Sequence, residues 1–147
     1  MNIKDKIIAV AKNTIETEGN AILHLSSLIS EEFANAVDYI FQSKGRVIVT
    51  GIGKSANIAT KIVATLNSTG TPAIFMHAAD AIHGDLGIIQ QNDTVICISK
   101  SGNTPEIKVL VPLIKASGNK LMGLTANRES FLGQQSDYVL HAYIEKE

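Results

Sequence analysis

The sequence predicts an α/β fold of the doubly wound kind: a parallel sheet with helices on both faces, preceded by helices at the amino end. Two observations carry this. Short continuous apolar runs, such as RVIVTG and TVICIS, read as strands buried on both faces. Segments with helical apolar spacing lie between them, so strand and helix alternate along most of the chain.

Residues 3–43 read as helical, because Ile3, Ile7, Val10, Ala11 and Ile15, then Ile22, Leu25, Leu28 and Ile29, recur at helical spacing. Ser30 ahead of Glu31 and Glu32 looks like the cap of a further helix through Phe33, Val37, Ile40 and Phe41. KGRVIVTG then supplies a turn and a buried strand, and a helix is predicted from Lys54 to about Asn67. TGTPAIFMH reads as turn and strand, and NDTVICIS as a second such unit with a helix from Pro105 to about Ala116. SGNKLMGLT is another strand, followed by a short helix near Arg128 to Gln134 and a last strand in SDYVLHAYI.

The length of 147 residues suits one domain over 1–147 with a full core. An apolar share of 45% against 18% charged marks the chain as globular rather than disordered. Net charge is −1 without a basic cluster, which leaves no electrostatic footprint for nucleic acid. Any bound anion must therefore be held by local geometry. Cys97 is the only cysteine, so neither an internal disulfide nor a thiolate metal cluster is expected. The histidine spacing fits no zinc site, and no metal or cofactor is predicted. The charged, amphipathic start lacks a signal-peptide core, and no apolar run reaches membrane-spanning length. The expectation is a soluble cytoplasmic protein with no membrane partner.

Two units resemble each other: RVIVTGIGKSANIATKI and TVICISKSGNTPEIKVL. Each is a strand, a loop of small and hydroxylated residues, then a helix. Ligands of open α/β sheets sit beyond the carboxyl ends of strands where chain order reverses. If these two strands are neighbours, both loops open on one crevice.

The GIGKS loop is not a nucleotide P-loop, because the required first glycine would fall at Ile48, inside the strand. Gly51, Gly53 and Ala56 fit a dinucleotide fingerprint, yet no acid lies between Gly51 and Asp80 to hold a ribose. What survives is a glycine turn that delivers Lys54 and Ser55 to a helix start, where free N–H groups and the dipole favour an anion. The glycines alone fit an ordinary tight turn equally well. A lysine at the positive end of a helix fits better facing an anionic ligand.

SKSGNTPEI offers Ser99, Ser101 and Thr104 as hydroxyls, Gly102 for close backbone approach and Pro105 as helix opener. Together they make a neutral cradle for a small phosphorylated metabolite. Thr104-Pro105-Glu106 also reads as a plain helix start, with Glu106 as a solvated first-turn acid. In HAADAIHGDLG, His83 beside Gly-Asp is a candidate to line the site. His24, His77 and His141 read as structural. Glu145 and Glu147 read, on composition, as a solvated tail.

The stretches VTGIGKSANIATKI, STGTPAIFMHAADAIHGDLG and ISKSGNTPEI resemble the sugar isomerase (SIS) domain of arabinose-5-phosphate isomerases, the family linked to Kdo sugar synthesis. The resemblance runs essentially end to end. It implies a three-layer, flavodoxin-like sandwich around a five-stranded parallel sheet, and interconversion of D-arabinose 5-phosphate and D-ribulose 5-phosphate through an enediol(ate). By motif position it also implies Ser55, Ser99, Ser101 and Thr104 as phosphate binders, with Gly51, Gly53 and Gly102 shaping the cradle. Lys54 matches the family's active-site lysine and Glu106 its acid after the hydroxyl loop. Glu147 matches a proton-transfer glutamate, and His83 a histidine that can reach a neighbouring subunit's site. A homodimer or homotetramer with shared sites follows from the same resemblance.

Ala78 and Asp80 depart from the family's usual Pro and Glu, and Asn103 from its Glu or Asp. Family domains also run on past the position of Glu147 to a further helix with an active-site histidine, and many add a CBS pair. The expectation is thus a C-terminally incomplete SIS domain. The alternative is a non-catalytic SIS module that senses a phosphosugar or sugar nucleotide.

Overall fold

The computed structural model describes residues 2–145. Helix α1 (Ile3–Leu25) opens on a capping box in which Asn2 and Asp5 exchange side-chain and backbone hydrogen bonds. A 3₁₀ turn, Ser26–Leu28, continues it, and the chain then extends through Ile29 and Ser30 into α2 (Glu31–Gln42). Ser30 sits at the cap position as expected, although its side chain makes no capping bond.

The alternating part follows: β1 (Val47–Gly51), α3 (Lys54–Ser68), β2 (Ala73–His77), α4 (Ala78–Ala81) and a 3₁₀ turn at Asp85–Ile88. Then come β3 (Thr94–Ile98), α5 (Pro105–Ala116), β4 (Lys120–Thr125), α6 (Phe131–Gln135) and β5 (Tyr138–His141). All strand pairs are parallel, in the order β2-β1-β3-β4-β5. The order reverses between β1 and β3, which is the switch point of such a sheet.

Both faces of the sheet are covered, so β1 and β3 are buried along their whole length. Ile48, Met76, Val95, Cys97 and Leu121 pack one face against Ala78 and Ala81 of α4, Ile107, Leu110, Val111 and Ile114 of α5, and Leu132 of α6. Val47, Val49, Ala73, Ile96, Ile98 and Met122 pack the other against Ala36 of α2 and Ala59 of α3. The result is three layers, as the alternation of strands and helices predicts.

Two polar clasps close this frame. At the amino ends of β1 and β3, Arg46 donates to both carboxylate oxygens of Asp93 and to the Ile88 carbonyl. The Arg46 and Gln90 amides add 2.8 Å bonds to the same carboxylate. Burial pushes Asp93 up, but the Arg46 side chain and these amides outweigh it and hold the carboxyl below its ordinary range. At the open edge of β5, Glu32 of α2 accepts the Val139 N–H at 2.7 Å and pairs with Arg128. A helix side chain thereby satisfies an edge-strand donor.

Two local expectations need correction. HAADAIHGDLG reads in the sequence as a connection between strands, but its AADA forms α4, because His77 Nδ1 accepts the Ala79 N–H and so caps a run of alanines. The helix expected near Arg128 starts later, at Phe131. Asn127 Oδ1 takes the Glu129 N–H, and the Ser130 hydroxyl caps at Gly133, so 127–130 is a turn.

Candidate functional site

Gly51, the last residue of β1, stands in register with His77 of β2 and Ile98 of β3. The GIGKS loop and the SKSGNT loop therefore leave adjacent strands at the same end of the sheet. This is the adjacency on which a shared crevice depends.

A β carbon at Gly51 would sit 3.0 Å from the Ser55 backbone and Cβ, so a side chain there would force the start of α3 to shift. The start of α3 thus presses directly on the end of β1. Gly53 follows at φ +59°, a conformation suited to glycine, and its carbonyl accepts the Ala56 N–H at 3.1 Å. No side chain caps α3, so the first amide donors of a 15-residue helix face outward without a protein cap. Lys54 is exposed and Ser55 half-buried at that opening. Among the described residues Lys54 has no carboxylate partner.

The SKSGNT loop is more tightly built. Buried Ser99 accepts the Gly102 N–H at 3.1 Å, and exposed Ser101 accepts the Asn103 N–H at 3.3 Å. Both hydroxyls shape the loop as acceptors and keep their own protons to donate. Gly102 adopts φ +66° with its Cα face against Ser130 and Thr125. Thr104 occupies the cap position of α5, yet its hydroxyl makes no capping bond; the oxygen is covered and unpartnered. The plain helix-start reading of Thr104 therefore does not describe its side chain. Pro105 is the first helical residue, and Glu106 stands half-buried in the first turn.

What holds this loop was not visible in the sequence. Thr125 Oγ1 and the Ala126 N–H both donate to the Lys100 carbonyl at 3.0 Å. The Leu132 N–H donates to Gly102 O, and the Phe131 N–H to Asn103 Oδ1, each at 3.0 Å. The turn between β4 and α6 thus supports the loop from below. Asn103, Thr125 and Ser130 are the supporting side chains. Their only sequence signal is Asn103, which lies within the motif itself.

His83 is exposed in the turn after α4, whose helix packs on α5. It lies between α4, which starts at the carboxyl end of β2, and Ile88, whose carbonyl Arg46 holds at the amino ends of β1 and β3. His77 is held at the end of β2, its Nδ1 accepting Ala79 N–H at 3.2 Å and its ring edge-on to Phe75. His141 contacts the Ala126 carbonyl at 3.2 Å, and His24 and His141 both touch the Tyr143 ring. Cys97 lies two residues before Ser99, and burial pushes its thiol up to about 12, so it stays protonated at neutral pH. Glu147 lies outside the described residues.

The site combines two helix starts without a side-chain cap, the hydroxyls of Ser55, Ser99, Ser101 and Thr104, the Lys54 ammonium and the nearby acid Glu106. An anion fits it by the dipoles and the donors together. A separate cleft of about 530 Å³ lies among Asn35, Asp38, Tyr39, Gln42 and Asn92, at the opposite end of the sheet. The carboxyl end of α2, Asp38 and Lys44 all line it, so it carries charge of both signs. Among the described residues no helix is long and apolar enough to cross a membrane.

The sequence profile described as SIS domain matches residues 39–147. Arabinose 5-phosphate isomerase KdsD of Pseudomonas aeruginosa is 42% identical over 149 residues, covering 100% of this chain and 46% of that protein. Arabinose 5-phosphate isomerase KpsF of Escherichia coli is 42% identical over 142 residues, 96% of this chain and 45% of that protein. The chain thus spans less than half the length of these curated relatives. Among solved structures, an Escherichia coli CFT073 protein in complex with arabinose 5-phosphate matches with a TM-score of 0.93 at 37% identity. That match covers 100% of this chain and 78% of the other.

Proposed function

This chain belongs to the SIS domain family, and from that premise we propose that it is the isomerase domain of a phosphosugar aldose–ketose isomerase. The reaction is interconversion of D-arabinose 5-phosphate and D-ribulose 5-phosphate, in Kdo sugar synthesis in the cytoplasm. The observation that supports the reading is the β1–β3 register, by which both phosphate-type loops leave neighbouring strands at the same end of the sheet.

The sugar phosphate spans the two loops. Its phosphoryl group rests on the hydroxyls of Ser99, Ser101 and Thr104 and the start of α5, with Ser55 and the α3 amides alongside. A base removes the C2 proton of the aldose, leaving an enediolate across C1 and C2. The proton returns at C1, and the O2 hydroxyl gives up its proton as O1 gains one, so C2 becomes the carbonyl and the atoms balance without a redox partner. Lys54 stabilises the enediolate or phosphate charge. Glu106 and Glu147 are the candidate proton carriers, and His83 completes the site, in its own or a neighbouring subunit. The domain is taken as 1–147, working as a dimer or tetramer; exposed aliphatic side chains along α1 support self-association.

The test is to supply arabinose 5-phosphate to the chain and to a form extended to the length of its relatives, and to assay ribulose 5-phosphate. Turnover lost in Lys54→Ala supports the assignment. Binding without turnover in the extended form overturns it in favour of a phosphosugar sensor.

A further inference from the structure

Helix α4 is a single turn of 4 residues, too short to be stable alone, because one turn fixes several dihedrals for each hydrogen bond it forms. Two things hold it. Ala78 and Ala81 are buried in the core that α5 also covers. His77, the last residue of β2, caps it, with Nδ1 accepting the Ala79 N–H at 3.2 Å. Two alanine side chains bury little apolar area, so the cap matters more here than at a long helix.

The cap also specifies the ring. Nδ1 accepts only while it carries no proton, which puts the proton of the neutral imidazole on Nε2. Phe75 meets the ring edge-on, with centroids 6.2 Å apart. Asp80 Oδ2 lies 4.0 Å from Nδ1, beyond hydrogen-bond reach. The ring is thereby held between its own strand and the first turn of α4.

The turn that carries His83 hangs from the same helix. The His83 N–H donates to Asp80 O at 2.9 Å, and the Gly84 N–H to Ala81 O at 3.3 Å. His83 itself is exposed, so its place is set by its backbone.

We propose that His77 is a positioning residue for the isomerisation: its Nδ1 cap fixes α4, and α4 fixes the backbone that presents the His83 imidazole. The proposal rests on the reading that His83 completes the site, in its own or a neighbouring subunit, and adds what holds it there. The linkage is continuous, from Nδ1 to the Ala79 amide and from the Asp80 and Ala81 carbonyls to the His83 and Gly84 amides. It is separate from the loop after β3, which the turn after β4 supports. Loss of the cap therefore displaces His83 without unseating the phosphate, and kcat rather than KM responds.

Two substitutions separate the acceptor from the ring. Asparagine carries Oδ1 at the same remove from the backbone as Nδ1, so His77→Asn keeps the cap and discards the imidazole. His77→Phe keeps a ring against Phe75 and discards the acceptor. Both are assayed on arabinose 5-phosphate in the form extended to the length of the relatives. His77→Phe should lower kcat about tenfold with KM within about twofold, and His77→Asn should keep kcat within about twofold of native. In a His83→Ala background His77→Phe should cost no further kcat, since the group it positions is gone. Amide hydrogen exchange should speed up over residues 79–84 in His77→Phe, while the sheet amides keep their protection.

Equal loss of kcat in both variants overturns the proposal in favour of an imidazole that touches substrate. Native kcat in His77→Phe overturns it in favour of a cap that serves stability alone. A full further loss in the His83→Ala background overturns it as well. A native form without turnover, or His83→Ala with native kcat, overturns the underlying reading and this role with it. That failure is told apart because the exchange pattern still reports whether the cap holds the turn.

Discussion

Gly102 and Ser130 approach so closely that a β carbon on the glycine would lie 2.0 Å from Ser130 Oγ. The phosphate-type loop after β3 is therefore seated on the turn after β4. Gly102 also holds φ +66°, where an L side chain costs about 1–2 kcal/mol. Gly102→Ala should destabilise the protein by about 2 kcal/mol or more, read from urea unfolding. It should also raise KM for the sugar phosphate. Adding Ser130→Gly removes the clash but also the α6 cap, so it should recover KM more fully than stability.

Thr125 is fully buried and donates to the Lys100 carbonyl while accepting the Asn127 N–H. Thr125→Val keeps the shape and removes the hydroxyl, at a cost of about 1 kcal/mol per net hydrogen bond. If the loop's position sets phosphate affinity, KM should rise about fivefold with kcat little changed. Thr125→Ser should restore the native KM. An effect on melting temperature without a KM change would show a purely structural hydroxyl.

Lys54→Ala and Ser101→Ala should separate charge stabilisation from phosphate binding. The lysine variant should lose kcat by about 100-fold, the scale for one preorganised group at a developing charge. The serine variant should mainly raise KM. Steady-state kinetics on both, at saturating and limiting arabinose 5-phosphate, check the split.

Asp93 makes stability pH-dependent with a definite sign. Its folded pKa lies below the unfolded value, so its contribution is fully present above the unfolded pKa near 4. It is lost as pH falls through the folded value. Native stability should therefore decline from about pH 4 downward. Asp93→Asn should be less stable at pH 7, by about 3 kcal/mol for a broken buried pair, and should show a flatter acid limb. Glu32 and Asp137, whose carboxyls are also held down, keep some slope in the variant.

The elements were legible because their signals are local. Four-residue apolar spacing marked α1, α2, α3 and α5, and unbroken apolar runs marked β1 and β3, since those strands are covered on both faces. The errors fell where a side chain competes with the backbone, at His77 before α4 and at Asn127 and Ser130 before α6. Such bonds depend on rotamers that residue type does not specify. Of the candidate site, the two motifs were readable from their residues, but Thr125 and Ser130 were not. They lie more than 20 residues beyond the loop they support, in a turn whose composition says nothing of its neighbour.

By itself the sequence determined that two strand–loop–helix units with glycine- and hydroxyl-bearing loops exist, and that an amphipathic helix precedes them. Periodicity within a few residues, glycine at Gly53 and Gly102, and helix-start chemistry suffice for that. Tertiary structure alone decided that β1 and β3 are neighbours, that Thr104 keeps its hydroxyl unpartnered, and that the apolar face of α1 is exposed among the described residues. These are non-local outcomes. Strand order and packing are settled by the sum of many weak contacts across the whole core, and no short window of residues contains that sum.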